Sequence, residues 1–354
     1  MNDMHRPVFD PPIDEPIRFR PSSKVFFYSG WSDESSTYAM VATIDRLPSE
    51  ERVLTIRKEF RPDSFSRWDV VTSAVSLGKA WLVFYNAGTG EVATGQIDDR
   101  YDFIEGREYG PGTLPVGYAR AAADSDGNLL FAGSHPNSIP NAPESRITRA
   151  QLIDEQLLVL WSSEVEIPPP DDLVGLSDGF AWLRESDSES PGGFDTTVYV
   201  LGHNGTLENQ RIWPTDWGGI VFHSNAGVRA ETGRDVPDAL LLSSPTGAYI
   251  SFQPGEICVV EPDIQGRRQL VTTMEQNVAI PHGTISTAIS TENGILGYNI
   301  FENMARICLL SPWTFEDIAS PSTFSLNVKN ATGPGHVGGY LPQPHPAWEH
   351  IVAC

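Results

Sequence analysis

Several things are scarce in this 354-residue chain, and each scarcity argues against a class of protein. Cysteine occurs three times, at Cys258, Cys308 and Cys354, with no Cys-x-x-Cys spacing. That count argues against a disulfide-stapled scaffold, a zinc ribbon or a thioredoxin-like redox site, and buried reduced thiols are the expectation. No apolar run approaches the roughly 18 to 20 residues that span a bilayer as a helix. The N-terminus, Met1 to Pro7 and then proline-rich sequence to Pro16, offers no apolar leader core and no small-residue cleavage site. The expected location is therefore cytoplasmic, or outside the cell by a non-classical route. Basic residues are outnumbered, 24 Lys and Arg against 46 Asp and Glu, for a net charge of −22. A surface so acidic is a poor match to phosphate backbones and anionic lipid, so neither nucleic acid nor membrane is an expected partner. Helical periodicity is nearly absent too. Its best candidate, Asp45 to Phe60, is broken by Pro48 and reads as a hairpin whose second strand is Arg52 to Phe60.

Turn formers and short apolar runs are abundant. Thirty-one Gly and 28 Pro are scattered between segments rich in Val, Ile, Phe and Tyr, the pattern of many short strands joined by turns. One unit stands out. It reads Phe65 to Ser73 with Trp68-Asp-Val-Val, then Trp81-Leu-Val-Phe-Tyr85-Asn-Ala-Gly-Thr-Gly90, then Glu91 to Asp98, then Tyr101 to Glu108. Four antiparallel strands are expected there, the first innermost. Partial echoes follow at Gly127–Gly133 with Ala150–Asp154 and Leu157–Ser162, and again at Phe180–Glu185, Thr197–Gly202 and Glu208–Trp213. Further echoes are Ala239–Ser244 with Glu256–Asp263 and Arg267–Thr273, and Gly294–Asn299 with Ala305–Pro312 and an outer edge at Trp313–Phe315.

The two ends of the chain are complementary. Lys24–Gly30, Tyr38–Asp45 and Arg52–Phe60 supply second, third and fourth strands without a first, whereas Trp348-Glu-His350-Ile-Val352 supplies a first strand with nothing after it. Joining them predicts an all-β, six-bladed β-propeller whose ring is closed by the C-terminal inner strand entering the N-terminal blade. Five or seven blades remain compatible with residues 219 to 276, where five strand candidates compete for four places. Residues 1–23 are expected to form a proline-rich arm, and residues 24–354 a single propeller domain.

The segment Trp-x-x-Val-Val, then Leu-Val-Phe-Tyr-Asn-Ala-Gly-Thr-Gly, then Ala-Thr-Gly-Gln-Ile-Asp, resembles the repeats of tachylectin-2-like β-propellers, as does the terminal Trp348-Glu-His-Ile-Val352. The match is best over residues 65 to 103 and at the C-terminus. What the resemblance implies is a propeller with a sugar-binding, lectin-like function.

In such a ring, the links between blades and between second and third strands emerge on one face around the axial opening, where binding residues gather. Trp31 with Asp33, and Trp217 with Asp216, place an aromatic plate beside a carboxylate, a pairing suited to the C–H face and hydroxyls of a sugar. His135 and His282 fall in links on the same face. The expected ligand is a small molecule or glycan, and the oligomeric state is left open. Two other functions stay open: an enzyme doing acid–base or metal-assisted chemistry in an axial pocket, and a protein-interaction scaffold. His345 and His350 are the only histidines at a short ligand spacing, and His350 falls in an inner strand, so no metal site and no cofactor is expected. Asp124-Ser-Asp126-Gly127-Asn128 has the look of a partial calcium loop but lacks later ligands, and a hairpin turn is expected instead. No Gly-x-Ser-x-Gly elbow supports nucleophilic catalysis.

Overall fold

A computed structural model of the chain describes residues 24–29, 38–46, 52–60, 68–134, 144–187, 194–215, 239–243, 253–278, 287–291, 294–301, 304–310, 340–341 and 350–354. Every regular element among these residues is a strand, and no helix among them is long and apolar enough to cross a membrane. The chain opens with β1 (Lys24–Ser29), β2 (Tyr38–Arg46) and β3 (Arg52–Phe60). A second sheet holds β4 (Val70–Ser76), β5 (Lys79–Tyr85), β6 (Val92–Ile97) and β7 (Phe103–Tyr109). A third holds β8 (Arg120–Ala123), β9 (Asn128–Ser134), β10 (Ser145–Ile153) and β11 (Gln156–Val165), and a fourth β12 (Asp172–Gly175), β13 (Phe180–Asp187), β14 (Phe194–Leu201) and β15 (Leu207–Thr215). Then come β16 (Ala239–Ser243), β17 (Gln253–Pro262) and β18 (Arg268–Val278), followed by β19 (Thr287–Thr291), β20 (Gly294–Phe301), β21 (Met304–Leu310) and β22 (Tyr340–Leu341). The last strand, β23 (His350–Ala353), returns to the first sheet, whose order is β23-β1-β2-β3.

This is an all-β propeller arrangement. The sheets built from β1–β15 and β23 are four complete four-stranded blades with side chains described on both faces. For β16–β18 and β19–β22 the strand pairing is described, as a three-stranded and a four-stranded sheet. The fourth strand of the latter is β22, which pairs with Ala305 and Arg306. Trp313–Phe315, expected in that place, lie outside the described residues, as does the arm of residues 1–23.

The ends of the chain meet as expected. Val25, Phe26, Phe27 and Tyr28 stand opposite Ala353, Val352, Ile351 and His350, and the Cys354 N–H donates to the Lys24 carbonyl at 3.0 Å. Cys354 is buried, which pushes its thiol up to about 12, so it is an inert packing residue. Inner strands approach one another in the order β19, β23, β4, β8, β12, and the outer strand β15 approaches β18.

Burial explains why the second strand of each blade is a continuous apolar run. Its residues alternate between two interblade cores, so both faces are covered. Phe84 joins Phe26, Tyr28 and Phe60 between the first and second blades, while its neighbours Val83 and Tyr85 join Leu129 and Phe131 between the second and third. Leu130 and Ala132 then face Phe180 and Trp182 of the fourth blade. Each of these large side chains contributes about 2 to 3 kcal/mol of burial. Outer strands are covered less, and β7 and β11 are largely exposed.

Two tyrosines tie blade to blade at the same repeated position. The Tyr28 hydroxyl accepts the Trp68 N–H at 2.9 Å and donates to the Trp68 carbonyl at 3.1 Å. The Tyr85 hydroxyl accepts the Tyr118 N–H at 3.2 Å and donates to the Pro115 carbonyl at 2.6 Å. At the equivalent strand positions the third and fourth blades carry Ala132 and Leu183.

Asp124 sits in the turn between β8 and β9, as expected of a hairpin. Its Oδ1 accepts the N–H groups of Asp126 (3.0 Å) and Asn128 (2.8 Å), and its Oδ2 accepts the Asn128 amide at 2.8 Å. Asp98 and Asp263 build the same turn with the N–H groups two and four residues on. Asp124 differs in being buried, which raises its carboxyl to about 6 from 3.8. Because the folded value lies above the unfolded one, the associated stability is complete below about pH 4 and is lost as pH rises through 6. The size is roughly 3 kcal/mol. Asp124→Asn keeps an acceptor for both backbone N–H groups and removes the titration. Urea melts at pH 4 and pH 7 are expected to show a smaller loss of stability with rising pH in the variant, and parallel profiles would refute the assignment.

Candidate functional site at the axial mouth

Strand register places one end of every described blade around the axis. Tyr28 and Tyr85 near the ends of β1 and β5, and Ala132 and Leu183 within β9 and β13, stand opposite His350, Val70, Arg120 and Asp172, the first residues of the inner strands β23, β4, β8 and β12. The N–H groups of Asp69, Ala119 and Asp171 donate to the carbonyls of Tyr85, Ala132 and Leu183, marking one repeated position just ahead of the strand. The side chains that follow it are thus delivered by the fold to a common rim.

On that rim the Asn-Ala-Gly-Thr-Gly turn is structural. Asn86 Oδ1 accepts the N–H groups of Gly88 and Thr89, both at 3.0 Å, and the turn docks on the next link through Gly112 N–H to Thr89 O and Leu114 N–H to Gly90 O. Gly90 has φ +73°, and a Cβ there would meet the Leu114 carbonyl at 2.1 Å. The residues that carry the family resemblance therefore shape a turn and a blade junction.

His350 is the central group. Its Nε2 lies 2.9 Å from the Asp69 carbonyl oxygen, which can only accept, so Nε2 bears the proton and Nδ1 is left as the basic nitrogen. Burial lowers its pKa to about 4, the bond to Asp69 opposes that shift, and the charge of Arg120 adds to it. At neutral pH the ring is neutral. Asp172 is shifted the other way: burial raises its pKa, against the hydrogen bond from the Leu173 N–H at 2.8 Å and the charge of Arg120. Arg120 is exposed, with Nε donating to the Asp171 carbonyl at 2.8 Å and one terminal nitrogen to the Ala119 carbonyl at 2.9 Å. The neighbouring carboxylates are already engaged. Asp171 takes Arg184 through both oxygens at 2.9 and 3.1 Å, and Asp69 accepts the Ala87 N–H at 2.7 Å.

The six residues expected from sequence, Trp31, Asp33, His135, Asp216, Trp217 and His282, all lie outside the described residues. They follow or precede strands whose described ends are at this rim, β1, β9, β15, β18 and β19. The structure instead sets Arg120 within electrostatic reach of both His350 and Asp172. His350 reads in sequence as an inner-strand packing residue, and β8 and β12 are only four residues long, too short and too small or polar to signal a strand. Aligning the repeats by their inner strands is the signal that finds them: Val70, Arg120, Asp172 and His350 share one position and differ in chemistry. Among the described residues no three His, Cys, Asp or Glu side chains converge as a metal site.

No protein-family model matches the sequence, and no curated protein does. Among solved structures the chain is similar to the hydrazine synthase of Kuenenia stuttgartiensis, at 11% identity over 86% of this chain and 80% of that one, with a TM-score of 0.42. It is similar also to a gluconolactonase of Xanthomonas campestris, at 11% identity over 84% and 85% with a TM-score of 0.37. A third is an α-L-arabinofuranosidase of Clostridium thermocellum, at 14% identity over 72% and 91% with a TM-score of 0.38. The fold assignment rests on the strand pairing above, and the reading of the site on its own geometry.

Proposed function

We propose that this chain is a propeller enzyme whose axial mouth performs general acid–base chemistry on a small polar substrate, with His350 as base and Asp172 as acid. The observation that carries the reading is the hydrogen bond that commits His350 Nε2–H to the Asp69 carbonyl and leaves Nδ1 to accept a proton. Environments that drive an imidazole and a carboxyl of one site in opposite directions are the usual arrangement for dividing acid and base roles. Nδ1 takes the proton from water or a substrate hydroxyl, and the carboxyl of Asp172 returns one to the leaving oxygen. The lectin function keeps only the support of the repeat resemblance. We read the ring as six-bladed, supported by six sheets that follow one another along the chain with the terminal strand completing the first.

The test is a panel of lactones, esters and glycosides assayed with the wild-type protein and with His350→Gln. The expected loss in kcat/KM for the substrate turned over is at least about 100-fold. Imidazole nitrogen shifts provide an independent readout, with the Nε2–H tautomer and a neutral ring down to pH 5. Undiminished turnover by His350→Gln, or a ring that protonates near 6.5, would overturn the reading.

A further inference from the structure

We infer that the axial mouth takes a substrate bearing a carboxylate, seated on the guanidinium of Arg120. The inference rests on the acid–base reading of the same mouth and names the class of molecule it acts on. Its basis is a local imbalance of charge. The chain carries a net −22, yet Arg120 stands exposed on the rim and forms no ion pair among the described residues. Its partners are two backbone carbonyls, of Asp171 and Ala119, which hold the plane of the group and neutralise none of its charge. Asp171 is taken by Arg184, Asp69 by a backbone N–H, and Asp172, on which the charge of Arg120 acts, accepts the Leu173 N–H and forms no ion pair among the described residues.

An arginine has five N–H donors. Two are used in these bonds, and among the described residues the other three have no partner. A planar fork fixed by two carbonyls is the arrangement that binds a carboxylate in a defined orientation. A monoanion is matched by the single charge of Arg120, whereas a phosphate group carrying about −1.5 to −2 would need more positive charge than one Arg supplies. The anchoring places the anion between β8 and β12, beside the acid of Asp172 and across from the base of His350. A substrate carboxylate there would orient the rest of the molecule toward the two proton-transfer groups.

Titration of the full-length protein with succinate, with succinamide as its neutral isostere and with inorganic phosphate, followed by calorimetry or amide shifts, tests this. Succinate is expected to bind at least about tenfold more tightly than succinamide, and Arg120→Gln to remove that difference. Arg120→Lys keeps the charge but not the fork and is expected to fall between them. Because Arg120 also ties β8 to β12, thermal melts accompany the variants, and the succinate–succinamide comparison on the wild-type protein needs no variant. Equal binding of succinate and succinamide, tighter binding of phosphate than succinate, or an unchanged affinity in a folded Arg120→Gln overturns the inference. Loss of carboxylate binding in Arg120→Gln together with full activity in His350→Gln would instead sink the acid–base reading and leave the anion seat standing.

Discussion

A chain ending at Glu349 is expected to lose cooperative folding at moderate temperature, although only five residues are removed. Those five supply the inner strand of the first blade. Without β23 the edge of β1 loses its ladder from Val25 to Tyr28, the buried Ile351 and Cys354 disappear from the core, and Phe26 and Tyr28 gain exposure in the cluster they share with Phe84. The approach of β23 to both β19 and β4 is lost as well. Burial of two medium side chains and partial exposure of two aromatic ones add up to about 5 kcal/mol or more, comparable with the whole stability of many domains. Circular-dichroism melts and size-exclusion profiles of the truncated chain measure this, with a large fall in melting temperature and an expanded or associated species expected. A melt within a few degrees of the full-length protein would mean that the ring is held by other junctions.

The closure was legible because its signal is complementary absence: a first strand missing at one end and the other three missing at the opposite end. Second strands were legible because two-sided burial forces continuous apolar runs such as Trp81 to Tyr85. The inner strands β8 and β12 were not, since Arg120–Ala123 and Asp172–Gly175 bury little and are held by register with β9 and β13. The same four-residue strands start with the side chains that make the rim, so the site was hidden by the feature that hid the strands. An aromatic beside an acid is conspicuous in sequence, as at Trp31 and Trp217. A histidine whose role depends on which nitrogen faces a carbonyl of another blade leaves no such trace.

Gly175→Ala is expected to be among the most damaging single substitutions, although it adds one methyl group. A Cβ at Gly175 would lie 1.7 Å from the Ala123 carbonyl oxygen and 2.5 Å from its carbon, far inside the 3.0 Å below which something must shift. The obstacle is backbone on a neighbouring inner strand, not the end of a flexible side chain, so relief requires moving β12 away from β8. That movement would strain the Ser125 N–H to Leu176 carbonyl bond at one end of the two strands and the Arg120 to Asp171 carbonyl bond at the other. The expected cost is about 3 kcal/mol, the upper range for overpacking. Gly110→Ala is the control: a Cβ there meets nothing within 4 Å, and its backbone is not in the left-handed region. It is expected to be neutral or to stabilise by a few tenths of a kcal/mol through the unfolded chain. Calorimetric melts of the two variants should therefore differ widely. If they fall together, the close approach of β8 and β12 is not what joins the third and fourth blades, and the rim they carry would not be held in the geometry on which the acid–base site depends.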